Sequence, residues 1–176
     1  YLSLYIANTH MVAASTSVEI ILDTSITDED KYHKNAFIIG RNNKLLHQQQ
    51  EEMALNNSNG IYPPVKILKN GFQVGPCLYN ESGLGLLFTA PYWDKKNHRS
   101  RLRVYMVGND DNGLRAIASL LQPTIPPMLR APLSNQVPDF IVVSTKILKE
   151  GAGGILSAGM WGYDWRWKEE SSYWQC

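Results

Sequence analysis

Short apolar runs, each stopped by a glycine, a proline or a polar residue, recur along this chain and leave few ways to fold it. They fall at residues 36–40 (AFIIG), 65–68 (VKIL), 71–75 (GFQVG), 85–91 (GLLFTAP), 101–108 (RLRVYMVG) and 139–144 (DFIVVS). Runs of roughly four to eight residues bounded by turn formers have strand length, and the least polar of them suit strands covered on both faces. Residues 18–22 (VEIIL) read as one more strand. Helical spacing of apolar side chains appears at residues 1–15, 44–55 and 109–121, the last opening on Asn and Asp side chains able to cap it. The Asn70-Gly71 pair predicts a tight hairpin between 65–68 and 71–75. Residues 122–138 hold five prolines and predict an extended surface loop. Strands alternating with helices predict an α/β fold, a three-layer sandwich around a mainly parallel sheet of flavodoxin-like or Rossmann-like type, with a β-hairpin attached. The 176 residues suit one domain, 1–176, without internal repeats.

Composition narrows the function classes. Seventeen basic residues stand against 16 acidic ones for a net charge of +1, so no field invites nucleic acid or an anionic membrane. No apolar run reaches the roughly 18 residues of a membrane span, and no partner of that kind is expected. The chain starts without Met and without the basic-then-apolar order of a signal peptide. It therefore reads as a processed or truncated product. Only Cys77 and Cys176 are present, without metal-ligand spacing, and two outcomes stay open for them: free buried thiols or one long-range disulfide. Sequons at Asn56 and Asn80, with that possible bridge, lean towards secretion and glycosylation.

Catalytic patterns are sparse. A G-x-S-x-G nucleophile elbow is absent, and His10, His33, His47 and His98 fall on helices or polar segments rather than at strand ends. No His/Cys/Asp/Glu set has ligand spacing, so neither a metal nor a cofactor is expected; the acidic loop Asp28, Glu29, Asp30 reads as solvated, as does Asp94 near His98. The best ligand-site candidates are two strand ends with the same form, Gly40, Arg41, Asn42, Asn43 and Gly108, Asn109, Asp110, Asp111, Asn112. In a parallel α/β sheet the carboxyl edge of the strands is where ligands bind, and Arg41 with the Asn side chains offers anion or sugar contacts. Turn and cap chemistry explains the same residues without a ligand. The tail 151–167 (GAGGILSAGMWGYDWRW) lacks dinucleotide spacing. Its Trp161, Tyr163, Trp165 and Trp167 alternate with other residues, which on an extended strand puts four rings on one face, a surface for sugars or for packing.

Taken in order, residues 37–40 (FIIG), 72–76 (FQVGP), 85–91 (GLLFTAP), 107–114 (VGNDDNGL), 137–143 (VPDFIVV) and 151–162 (GAGGILSAGMWG) resemble the C-terminal α/β domain of large fungal secreted-type proteins described as prolyl-oligopeptidase-like α/β hydrolases. The resemblance spans nearly the whole chain. It implies that the serine-hydrolase machinery lies in an upstream domain of the same polypeptide, that this chain packs on or orients substrate for that domain, and that no catalytic residue is carried here. One departure concerns the loop after the second strand, where Gly40-Arg41-Asn42-Asn43 stands in place of the Gly-Pro or Gly-Asn-Pro usual in that family. Two other readings stand beside it: an independent enzyme binding a small molecule at the two strand ends, and a carbohydrate-binding module using the aromatic tail.

Overall fold

A computed structural model describes residues 1–15, 17–27, 30, 35–56, 63–94, 99–121 and 138–176. In chain order the elements are α1 (Leu2–Ala14), β1 (Ala36–Ile39), α2 (Lys44–Asn56), β2 (Val65–Leu68), β3 (Gly71–Val74), β4 (Cys77–Tyr79), β5 (Gly85–Asp94), β6 (Arg99–Gly108), α3 (Asp111–Ala118), β7 (Phe140–Val143), α4 (Ile147–Glu150), β8 (Ile155–Gly159) and β9 (Ser172–Trp174). Six strands form one sheet in the order β1-β6-β5-β7-β8-β9, and β2-β3-β4 form a separate antiparallel meander. Residues 18–22 join no ladder.

The sheet corrects the expected architecture. Only β1 and β6 run parallel; every other neighbouring pair in it is antiparallel. The reason lies in the connections. A parallel neighbour needs a crossover of about a dozen residues, whereas the link from Asp94 to Arg99 is far shorter and folds β5 and β6 into one long hairpin paired along its full length. Among the described residues the fold is mostly β, with the four short helices α1 to α4 laid against it, and is neither flavodoxin-like nor Rossmann-like.

Side chains alternate across the sheet and build a core on each face. On one face Leu86, Phe88, Tyr105, Val107, Phe140 and Val142 meet Leu46 of α2, Phe72 and Tyr79 of the meander, and Trp161. On the other, Leu87, Met106, Ile141 and Val143 meet Ile6 of α1, Ile117 of α3 and Ile147 of α4. All four residues of β7 are buried, which explains why its sequence lacks a polar alternation. Helix α3 lies so close to β5 that a Cβ on Gly113 would sit 2.0 Å from the Leu84 carbonyl oxygen, so only glycine permits this approach. The first face also buries Gln49 and Arg103. The Tyr105 hydroxyl donates to Gln49 Oε1 at 2.9 Å, and the Arg103 guanidinium stands 3.5 Å over the Tyr92 ring. No helix among the described residues is long and apolar enough to cross a membrane.

Candidate functional site

Because β1 and β6 are parallel neighbours, with Ile39 opposite Met106, their carboxyl ends come out side by side. The two Gly-polar sequences therefore meet. Gly40 takes a φ of 97°, in the glycine-favouring region, and its N–H donates to the Met106 carbonyl at 2.9 Å. That turn delivers Arg41 to the centre of the strand ends. Its Nε donates to the Gly108 carbonyl at 3.3 Å, Nη1 to those of Leu68 at 2.8 Å and Lys69 at 2.9 Å, and Nη2 to Asn109 Oδ1 at 2.6 Å. Asn109 continues outward: its Nδ2 donates to the carbonyls of Tyr79 at 3.2 Å and Glu81 at 2.7 Å. One guanidinium and one carboxamide thus tie together the ends of β1 and β6, the β2-β3 turn and the loop after β4.

Asp110 and Asn43 serve the helices that follow. Asp110 caps α3, its Oδ1 accepting from the Gly113 N–H at 2.8 Å, while Oδ2 accepts from the Gly83 N–H at 2.8 Å and from the Ser82 hydroxyl. The Ser82 hydroxyl, then the Gly113 amide, hold its carboxyl below the usual carboxylate range. Asn43 Oδ1 accepts from the Leu45 N–H at 2.9 Å at the start of α2. Asn42 and Asn112 are exposed. Burial pushes the Arg41 pKa down from its very high value.

Chemically this constellation is a brace. Four donors of Arg41 and both oxygens of Asp110 are engaged by the protein itself, while Asp111 is exposed in the first turn of α3. A general acid or base needs a raised or mid-range pKa and an open position; Asp110 has neither. Among the described residues no group of three or more His, Cys, Asp or Glu side chains could hold a metal ion.

The aromatic tail turns back on itself, so its rings do not share one face of a strand. Gly162 N–H donates to the Arg166 carbonyl at 2.7 Å, Trp165 N–H donates to the Gly162 carbonyl at 2.8 Å, and Trp165 takes a φ of 63°. Trp161 is buried, stacks on Phe140 at 4.5 Å between ring centroids, and donates its Nε1–H to the Thr89 carbonyl at 3.1 Å. Trp167 packs at 5.3 Å from Phe140 and 5.4 Å from Trp174. Trp165 is half-buried against the same core, and Tyr163 alone of the four is fully exposed. The rings clasp the first face of the sheet and leave a sugar only Tyr163 and parts of Trp165 and Trp167. Nearby, burial raises the Tyr79 pKa, opposed by the Ser157 hydroxyl and assisted by Tyr173.

Cys77 and Cys176 are joined by a disulfide, with 5.3 Å between their Cα atoms, fastening the end of the chain to β4. Asn80 is exposed in the loop after β4, and Asn56 closes α2. Asp28 and Glu29, His33, His98, the Asn57 and Ser58 of the first sequon, and residues 122–137 lie outside the described residues. Two clefts flank the brace. One, of about 440 Å³, lies between α2 and β2, where Gln50 Oε1 already accepts from the Ile67 N–H at 2.9 Å. The other, of about 510 Å³, runs along β1 and is lined by Val18, Glu19, Ile21, Asp30 and Phe37 among others. In the sequence these residues stand out only as the strand-like runs 18–22 and 36–40 and, for Asp30, as part of an acidic loop that reads as solvated. Comparison of the chain with protein-family models, with curated proteins and with solved structures finds no match.

Proposed function

We propose that this chain is a non-catalytic module of a secreted serine-hydrolase-like protein, one that packs on, or orients substrate for, a catalytic domain upstream in the same polypeptide. The observation that carries the reading is the consumption of the strand-end chemistry: Arg41, Asn109 and Asp110, the residues a small-molecule site would need, are engaged with backbone groups of this chain. The resemblance to the C-terminal domain of fungal prolyl-oligopeptidase-like proteins supplies the context. An oxidising compartment is supported by the Cys77–Cys176 bridge. A packing surface is supported by α1, whose Leu4, Met11 and Val12 are 55%, 59% and 84% exposed.

Hydrolysis separates this reading from an independent enzyme. The disulfide-bonded chain is incubated with p-nitrophenyl acetate and with an Ala-Pro p-nitroanilide, in parallel with the natural gene product that contains it. Turnover by the natural product and none by the isolated chain is the expected result. Turnover by the isolated chain that disappears in Asp110→Asn would overturn it in favour of an enzyme acting at the two strand ends.

A further inference from the structure

We infer that Asn80 carries an N-linked glycan, attached before the chain folds and then held over the strand ends by Asn109 and Asp110. The inference rests on the reading above for the secretory compartment; the acceptor and the order of events follow from the loop itself.

Residues 80–82 (NES) form an acceptor triplet directly after β4. The sugar such a triplet receives is bulky and hydrophilic, so the Asn side chain must reach solvent in the finished fold. Asn80 is exposed, whereas Tyr79 before it is only 4% exposed. The division follows from the strand: successive side chains leave it on opposite sides, and Tyr79 takes the core side. Asn109 then fixes the backbone on either side of Asn80, its Nδ2 donating to the carbonyls of Tyr79 at 3.2 Å and Glu81 at 2.7 Å. The β2-β3 hairpin backs the loop closely, since a Cβ on Gly71 would stand 3.1 Å from the Asn80 Cβ. Among the described residues no hydrogen bond engages the Asn80 carboxamide itself. It is presented outward with its nitrogen free.

Transfer joins that nitrogen to the anomeric carbon of an oligosaccharide carried on a polyprenyl pyrophosphate. The bond from that carbon to the pyrophosphate oxygen breaks, polyprenyl pyrophosphate leaves, and the nitrogen gives up one proton. The transferase also reads the hydroxyl two residues on, which must be free to meet it. In the folded chain that hydroxyl is taken: Ser82 donates to Asp110 Oδ2, which accepts from the Gly83 N–H as well, at 2.8 Å. Asp110 is fixed in turn as the cap of α3, through the Gly113 N–H at 2.8 Å. Four hydrogen bonds to Asn109 and Asp110 thus lock the triplet and its flanks. Releasing Ser82 means loosening the start of β5 and the start of α3 together, so transfer comes first and folding follows. The finished glycan stands beside the ends of β1 and β6 and turns that end of the sheet towards water.

Two measurements test the site and the order. The natural gene product is reduced and digested with trypsin, and its peptide 70–95, which contains Asn80, is expected to carry the sugar. Enzymatic deglycosylation in heavy-oxygen water should leave a labelled Asp at position 80. Asn80→Gln should abolish the modification and Ser82→Thr should keep it. An unmodified peptide from a product found in the medium would overturn the inference alone; from a product confined to cell extract, it would overturn the secreted reading with it. For the order, an oligosaccharyltransferase with its lipid-linked oligosaccharide is offered the unglycosylated, disulfide-bonded chain and, in parallel, a synthetic peptide of residues 76–86. The peptide is expected to be modified at least about tenfold faster, because the folded loop must open before Ser82 is released. Equal rates would overturn the order of events, and no transfer to either would overturn Asn80 as an acceptor.

Discussion

Arg41 holds four acceptors from two places in the chain, Leu68–Lys69 and Gly108–Asn109, and its loss would leave three carbonyls and the Asn109 carboxamide to find water in a partly buried position. Arg41→Ala is expected to destabilise the protein by about 2 kcal/mol, read from urea denaturation, because hydrogen bonds to charged groups contribute roughly 1.5–3 kcal/mol net. Asp110 adds a pH dependence whose sign follows from its lowered pKa. Its contribution is complete above the unfolded value of about 3.9 and is lost as pH falls through the lower folded value. The melting temperature should therefore drop on acidification below about pH 4, and Asp110→Asn should be less stable than the parent at pH 7 while converging with it near pH 2; an unchanged gap at both pH values would contradict the assignment. The polar residues of this brace were legible as strand-end residues. Their roles were not, since the partners of Arg41 and Asn109 at Leu68, Lys69, Tyr79 and Glu81 stand 27 to 30 residues away. Nothing local in the sequence distinguishes an arginine awaiting a ligand from one that has already found four oxygens.

At the scale of elements, the C-terminal clasp depends on contacts that a single methyl group disrupts. Gly75 takes a φ of 55°, and a Cβ there would stand 2.5 Å from the Trp167 ring. Gly75→Ala is expected to cost about 2 kcal/mol or more, from strain plus displacement of the ring, and to shift the tryptophan fluorescence to the red; an unchanged spectrum would mean that Trp167 does not seat there. Strand existence was readable from the apolar runs and the Asn70-Gly71 turn. Strand direction was not, because alternating strands and helices look the same whether a connection crosses over or turns back. The aromatic alternation misled for a related reason: period two is a property of extended backbone, and the turn from Gly162 to Arg166, with Trp165 at positive φ, breaks that premise. The run 18–22 illustrates the converse, a strand-like sequence with no paired neighbour among the described residues.

Over the whole molecule, a single disulfide with a sequence separation of 99 joins the meander to the chain end and so closes most of the first core face. Chain-entropy estimates give about 4–5 kcal/mol for a loop of that size, a large share of the roughly 5–15 kcal/mol that stabilises a typical domain. Reduction with a dithiol is expected to lower the urea midpoint sharply, with loss of the Trp161–Phe140–Trp167 packing; an unaltered midpoint would show that the clasp holds without the bond. The layered whole also frames the central claim, that a mixed-sheet module with its polar strand ends tied up internally serves a catalytic domain elsewhere in its polypeptide. The most direct measurement is the intact mass and N-terminal sequence of the natural gene product, taken from the culture medium and from cell extract. A much larger species in the medium that contains these residues is the predicted result. A product near 19.9 kDa would contradict the account and return attention to this chain's own surface as the seat of function.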